Sequence, residues 1–534
     1  MRAGSANPSL ALPPAAAYST GDPTSFAWQT ARERWPIIIV RCRPLARPIP
    51  ASNHPLPLQT QAIDDAYRTV GACEDAAKSD EGKKIIADLA ELKYEVQHDR
   101  ALKPIRDDGF PDVAGYNAEL AQLGPITWLS APWLFTECYL FRRISTSFSL
   151  STHWKSYDVF ARQKIKTFRS SRPAVLELAA RYKDLVTQLR SAAAHDPEAD
   201  KLLFTEMCEV CLWGNATDLS LLTSLTYEDI QKLQGSEARR AAEKNILVND
   251  LPAVYAHLLA AKADPAKAKG ERRVDIVLDN AGFELYVDLI LAGYLLSAGL
   301  ATTVVLHPKS IPWFVSDVLP GDFASLLTAL ADPRRFYETP TEEDTLQGIE
   351  PEKLTDKEVE ELAFLFSEWS TFHGEGQLVL RPNRVWTGPG SFWRLPEEAK
   401  DVVDDIREGE LVVFKGDLNY RKLVGDVSIL PLLAVSYSVA DIVKSGCLGS
   451  DNPVHRGPWA VGPRLWAQRA GAADLQGRRR GGFGVRRGRE AEEHGGGRRR
   501  LWSAEMGLER EMGCGVLLQG DMILSEGPIS RQYT

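Results

Sequence analysis

Cysteine is scarce and odd in number: Cys42, Cys73, Cys138, Cys208, Cys211, Cys447 and Cys514. That argues against a disulfide framework and suits free thiols in a reducing compartment. Only Cys208 and Cys211 form a C-x-x-C, and no second pair or histidine cluster stands at zinc-finger spacing. They sit in an apolar helical segment, Met207 to Trp213, so core packing is their expected role. Long hydrophobic runs are missing too. No stretch approaches the ~20 residues that span a bilayer, and no continuous apolar run follows Arg2, so neither a span nor a secretory signal is expected. Excess positive charge is also absent. The 63 Lys and Arg against 72 Asp and Glu give a formal charge of −9, so nothing global points to nucleic acid or an anionic membrane. The expected location is the cytoplasm, with the nucleus as the alternative.

What is present is core-forming material, 44% hydrophobic over 534 residues, enough for two or three domains. The chain is organised around residues 271–289, ERRVDIVLDNAGFELYVDL. Val274 to Leu278 reads as a buried strand, broken by Asp279, Asn280 and Gly282, and an apolar helix follows from Phe283 to Leu300. In an open α/β sheet, ligands collect beyond the carboxyl ends of the strands. Asp279 and Asn280 would stand there side by side, with the free N–H groups of the following helix aimed at the same spot.

Residues 1–24 read as a disordered lead. Ser25 to Ile39 predicts a helix running into Pro36, and the five prolines of 43–57 interrupt regular structure. From 25 to 265 the signals are otherwise helical. Ile85, Leu89, Leu92 and Val96 share one face, as do Val175, Leu178, Tyr182, Leu185 and Leu189. Glu137, Arg142 and Arg143 read as solvated or paired helix charges. Asn215 and Asp218 suit a helix cap as well as a pocket. From 271 to 445 strands alternate with helices, which argues for an α/β fold with the sheet covered on both faces. Thr302 to Leu306, Leu378 to Leu380, Val385-Trp386 and Leu411 to Phe414 are the further strands. Residues 446–534 form a tail whose Arg/Gly-rich stretch, 477–500, reads as disorder.

Three strand ends then carry oxygens or cations: Asp279 with Asn280, Asp317, and Lys415 to Lys422. Two aspartates and an amide oxygen make a hard donor set suited to Mg²⁺ or Mn²⁺. Such an ion lowers the pKa of bound water and neutralises charge on a transferring phosphoryl group. Lys415, Arg421 and Lys422 could hold a phosphate, while Asp417 and Asn419 hydrogen-bond a polyol. Taken singly, Asp279 also suits a turn, Asp317 a helix cap, and Lys415 to Lys422 a solvated loop.

The segments LDNAGFELYVDLILAGYLL, HPKSIPWFVSDVLPGDFASLL and LVVFKGDLNYRKLVGD resemble the damage-control phosphatase family, subfamily III. These are metal-dependent sugar-phosphate phosphatases also described as protein-glutamate methyltransferases. WLFTECYLFRRI, WGNATDLSLL, the segment from Leu222 to Leu259 and SFAWQTARERWPIII resemble its helical N-terminal part, so the resemblance covers roughly residues 20–426. It implies a helical domain packed on a Rossmann-like α/β/α domain. It further implies hydrolysis of small phosphomonoesters, typically fructose 1-phosphate and fructose 6-phosphate, with Mn²⁺, Ni²⁺ or Co²⁺. The family's metal ligands fall on Asp279, Asn280 and Asp317, which are the expected catalytic residues. Glu284 matches the position linked to an S-adenosylmethionine site, and Asp417, Leu418, Asn419, Tyr420 and Arg421 match the substrate loop. Asp279, Asn280 and Glu284 would also face the substrate.

The resemblance breaks after Asp426. An Arg-Thr-x-Lys motif whose Lys contacts substrate phosphate is expected downstream, but Ser436 to Val439 stand in its place. Val427-Ser428-Ile429 can be encoded by a sequence opening like an intron, so a retained intron and an out-of-frame exon are expected. Losing that Lys would cost on the order of several kcal/mol of transition-state stabilisation. Two other readings stay open: an S-adenosylmethionine-dependent carboxyl methyltransferase, and an RNA-binding protein acting through the Arg/Gly tail. No glycine-rich nucleotide loop supports the first.

Overall fold

The computed structural model describes residues 16–39, 62–191, 197–212, 248–265, 267, 270–427 and 515–519. The proline-rich 43–57 stretch, Asn215, Asp218, Ser436 to Val439 and the 477–500 stretch lie outside them.

Helix α1 (Ala76–Gln97) starts where the Asp75 carboxylate accepts from the backbone N–H groups of Ala77 and Lys78, at 2.8 and 3.3 Å. This cap satisfies donors that the first turn leaves unpaired. The α1 stripe of Ile85, Leu89, Leu92 and Val96 is buried, as its spacing predicts, against α2 (Trp133–Ser149). Each such side chain contributes about 1.5–3 kcal/mol through burial.

The first helix fills the span predicted for it, Pro36 included. It runs from Phe26 to Ile39 with a π-helical turn, Thr30–Arg34, just ahead of the proline. A proline ring clashes with the carbonyl four residues back, and a widened turn there makes room. The lead also differs from expectation. From residue 16 it is pinned: the Tyr18 N–H donates to the Asp426 carbonyl at 3.0 Å, Ala17 pairs with Val427, and Thr20 is buried.

Glu137 and Arg142 are paired rather than solvated. Arg142, fully buried, donates to Asp108 at 2.8 Å and Asp112 at 2.6 Å, and Glu137 accepts from Trp35 and Arg421.

The next four helices are α3 (Ala161–Ser170), α4 (Arg172–Ser191), α5 (Pro197–Leu212) and α6 (Leu251–Ala263). Their apolar faces share one core with the sheet and not with α1 and α2. Cys208 and Cys211 lie buried in that core. The core of α1 and α2 in turn takes in Ile311, Trp313 and Leu418 from much later in the chain.

Strand β1 (Arg273–Val277) leads into α7 (Phe283–Ser297), which is buried on every side from Phe283 to Leu296, as an all-round apolar helix must be. Then come β2 (Thr303–His307), α8 (Pro320–Ala331), α9 (Asp356–Gly374), β3 (Leu378–Leu380), α10 (Lys400–Ile406) and β4 (Leu411–Lys415). Val385-Trp386, expected as a strand, forms a 3₁₀ turn, Arg384–Thr387, because Asn383 accepts from the Val385 N–H and starts it. Lys415 to Lys422 is not a loop: α11 (Gly416–Val424) begins directly after β4 and ends at Gly425, whose φ is +81°.

The four strands are parallel in the order β3-β2-β1-β4. A fifth, β5 (Gly515–Gln519), pairs antiparallel with β4; it is the one described part of the C-terminal stretch read as disordered. Helices α4 to α7 and α9 cover one face, and Trp386, Phe392, Leu395 and the α10 side chains cover the other, on Val277, Val412 and Phe414. This is the expected α/β sandwich. The chain proceeds from β1 to β2 on one side and returns to β4 on the other. At such a reversal, beyond the ends of β1 and β4, open α/β sheets place their ligand crevice.

Candidate active site

Asp279 and Asn280 lie two and three residues past β1, at that crevice. Asn280 forms an antiparallel bridge with Asp317, and the Val318 N–H donates to the Asp279 carbonyl at 2.8 Å. Asp317 is delivered by a turn in which Phe314 and Val315 both adopt positive φ, +42° and +73°. For a β-branched valine this is a strained conformation. The stack of Phe314 on Phe141 of α2, with ring centroids 4.7 Å apart, holds the turn in place. The helical part thus forms one wall of the crevice, through Ile311, Trp313 and Leu418.

From the other side, Gly416 (φ +83°) presses on Asp279: a Cβ built there would lie 2.0 Å from its carboxyl carbon. Gly282 opens α7 with φ +76°. Asn280 donates to Asp279 Oδ2 at 2.6 Å and to Glu284 Oε2 at 2.8 Å, while Ser316 donates to its oxygen at 2.5 Å. Asp279, Glu284 and Asp317 are all buried, and Asp317 Oδ2 has no hydrogen-bond partner.

These carboxyls destabilise one another's charge. Burial, then Glu284, Asp317 and Asp417, hold the Asp279 carboxyl well above the usual range. Burial pushes Asp317 up to about 7 despite Lys309 and Lys164. Glu284 is raised by burial, with Lys415 opposing.

The cations are mostly engaged. Lys415 sits 2.9 Å from Asp288 and 3.6 Å from Glu284; burial works against its charge, but Asp288, Cys211 and Glu284 outweigh it. Arg421 pairs with Glu137 at 2.9 Å and Asp426 at 3.1 Å, over the Trp133 ring. Lys422 points away from the crevice, onto the carbonyls of Gly388 and Gly390, and burial lowers its pKa.

The predicted substrate segment is split by its helical form. Leu418 is core, and the Asn419 amide bonds the backbone carbonyls of Val277, Leu278 and Lys415. Asn419 is thus a structural pin for β1 and β4 and not free for a polyol. Asp417 is exposed and Tyr420 half-buried. Sequence reasoning passed over Lys309: fully buried, it donates to the Leu278 carbonyl at 2.8 Å and stands 3.5 Å from Asp317. Its one signal was its place two residues past β2.

Among the described residues, no three His, Cys, Asp or Glu side chains gather as a closed metal cage. The candidate donors are an open set of two aspartates and an asparagine oxygen.

The description "Damage-control phosphatase ARMT1-like domain" matches residues 30–443. The chain belongs to this family. The family match continues past Asp426, the end of the strong resemblance, through the segment 433–442 that the sequence aligns only weakly with the family. Relatives named damage-control phosphatase ARMT1 agree with the assignment. The Danio rerio protein is 30% identical over 410 residues, 75% of this chain and 81% of the relative. That of Rattus norvegicus is 31% identical over 424 residues, covering 76% and 83%. The Homo sapiens protein is 30% identical over 424 residues, covering 77% and 84%. Among the described residues of this family member, no helix is long and apolar enough to cross a membrane.

Proposed function

We propose that the chain is a metal-dependent phosphatase of small sugar phosphomonoesters, such as fructose 1-phosphate and fructose 6-phosphate, acting in the cytoplasm. The names of its relatives supply the reaction class. One observation carries the ion: Asp279 and Asp317 are buried together beside Asn280, and Asp317 Oδ2 accepts no hydrogen bond, with Lys309, 3.5 Å away, as its one ion-pair cation among the described residues. Buried carboxylates that raise one another's pKa fit a divalent cation, and an all-oxygen set favours Mn²⁺ or Mg²⁺, with Ni²⁺ and Co²⁺ as other candidates. Asp279, Asn280 and Asp317 would hold it. When bound, the ion supplies positive charge for the phosphoryl group and a water of lowered pKa.

The protein's own groups do the rest. Gly416, lacking a side chain, lets β4 and α11 close against Asp279. Lys309, fixed on the Leu278 carbonyl, balances part of the charge at Asp317. Asp417, exposed at the first turn of α11, would meet a sugar hydroxyl. The strained turn before Asp317 and the Phe141 wall pre-set the site before substrate arrives. The methyltransferase reading has less support, because Glu284 is buried and already accepts from Asn280.

The test is phosphate release from fructose 1-phosphate with and without Mn²⁺, comparing the chain with Asp279→Ala. Turnover should need the ion and fall by about 10³-fold or more in the variant. Ion-independent turnover, or an active Asp279→Ala, would refute the reading.

A further inference from the structure

We propose that Glu284 is a positioning residue for Asn280: it fixes which side of the amide faces the cation. The idea rests on the phosphatase reading above and adds a residue to it. A primary amide has two N–H donors on one side and a carbonyl oxygen on the other. In Asn280 the nitrogen is used by two carboxylates, Asp279 at 2.6 Å and Glu284 at 2.8 Å. The oxygen receives the Ser316 hydroxyl, and its second lone pair remains as the ligating face. Without Glu284, one N–H loses its partner and the amide is free to turn its nitrogen toward the ion.

Glu284 is itself held from beneath. It lies on the first turn of α7, 3.6 Å from the Lys415 ammonium at the end of β4. Lys415 in turn donates to the Cys211 carbonyl of α5 at 2.7 Å and to Asp288, one turn further along α7, at 2.9 Å. The Cys211 thiol donates to the same Asp288 oxygen at 3.1 Å. Three elements therefore converge on one buried ammonium next to Gly416, the residue that touches Asp279. This anchorage places Glu284 relative to the site and not merely relative to its own helix. Outer partners of this kind typically carry 10–100-fold of metal affinity.

The experiment measures Mn²⁺ binding to the full chain by electron paramagnetic resonance, with melting temperature alongside, for Glu284→Met, Glu284→Gln and Asp279→Ala. Methionine fills the volume without an acceptor, whereas glutamine keeps a carbonyl for the Asn280 N–H and leaves Lys415 on Asp288. Mn²⁺ affinity should fall about 10–100-fold in Glu284→Met and stay within about threefold of wild type in Glu284→Gln. Equal affinity in Glu284→Met and wild type, or equal losses in both Glu284 variants, overturns the proposal. If Glu284→Met fails to fold, Glu284→Ala takes its place. Failure of the underlying reading looks different: the wild type itself binds no Mn²⁺, or Asp279→Ala binds it as well as wild type.

Discussion

Two of the buried charge clusters among the described residues are solved in opposite ways. Around Arg142 the charges close on themselves. One guanidinium reaches Asp108 and Asp112, Arg384 adds a second contact to Asp112 at 3.2 Å, and Thr146 takes a further donor. Burial disfavours the Asp108 charge, yet Arg142 holds its carboxyl below the usual range. Around Asp279 the charges stay open: three carboxyls are pushed upward, and Asp317 Oδ2 accepts no hydrogen bond and has only the Lys309 ammonium, 3.5 Å away, as an ion-pair partner. The first cluster is a joint, tying the segment before residue 112 and the 3₁₀ turn at 384 to α2. The second leaves negative charge for something other than the protein to complete.

The largest effect that separates them is on stability. Arg142→Met would leave two buried aspartates short of a partner and should cost about 3–5 kcal/mol, read by urea denaturation. Asp279→Ala relieves repulsion, so its metal-free chain should be no less stable than wild type. Equal destabilisation by both would erase the contrast.

A smaller effect tests the geometry of the open cluster. Gly416→Ala forces Asp279 aside, because the new Cβ meets its carboxyl group at 2.0 to 2.5 Å in a backbone conformation that L residues rarely adopt. We expect about 1–3 kcal/mol of destabilisation and at least a tenfold loss of Mn²⁺-dependent turnover. A fully active Gly416→Ala would show that Asp279 need not stand where it does.

The smallest effect is a pH dependence. A carboxyl whose folded pKa lies above its unfolded value of about 3.9 makes the native chain bind protons more tightly than the unfolded one. Stability therefore falls as pH rises from about 4 through the folded value, about 7 for Asp317. The metal-free melting temperature should drop between about pH 5 and about pH 8, and Mn²⁺ should raise it more at the higher pH. The closed cluster behaves conversely, since Asp108 adds stability above its unfolded pKa that is lost on acidification. A profile flat across that range, with no Mn²⁺ effect, would remove the distinction.

Much of this was legible before any coordinates. The break after Val274 to Leu278 announced a strand end with Asp279 and Asn280 on it, because local residue types alone decide a strand, a turn and a helix start. Asp317 joined them in the sequence as another strand-end carboxylate, while the bridge that sets it against Asn280 is a tertiary pairing no local pattern shows. Asn419 looked like a polar loop residue. Its partners are backbone carbonyls from β1, which no side-chain pattern advertises. Arg421 and Lys422 looked free for phosphate because Glu137 and the Gly388 carbonyl lie far away in sequence. Lys309 was passed over for the same reason. The helix around Pro36 is legible, but the π turn that makes room for the proline is not signalled by composition.

The pairing of Ala17 with Val427 has one more consequence. Two described segments far apart in sequence, near residue 17 and near residue 427, lie side by side, and the Tyr18 bond to Asp426 draws them tight. Topologically the body is close to a ring with a single seam. Asp426 stands at that seam with φ +51°, held by the same guanidinium that reaches Glu137. Whatever sequence is joined beyond residue 427 departs from a fixed knot rather than from a loose end.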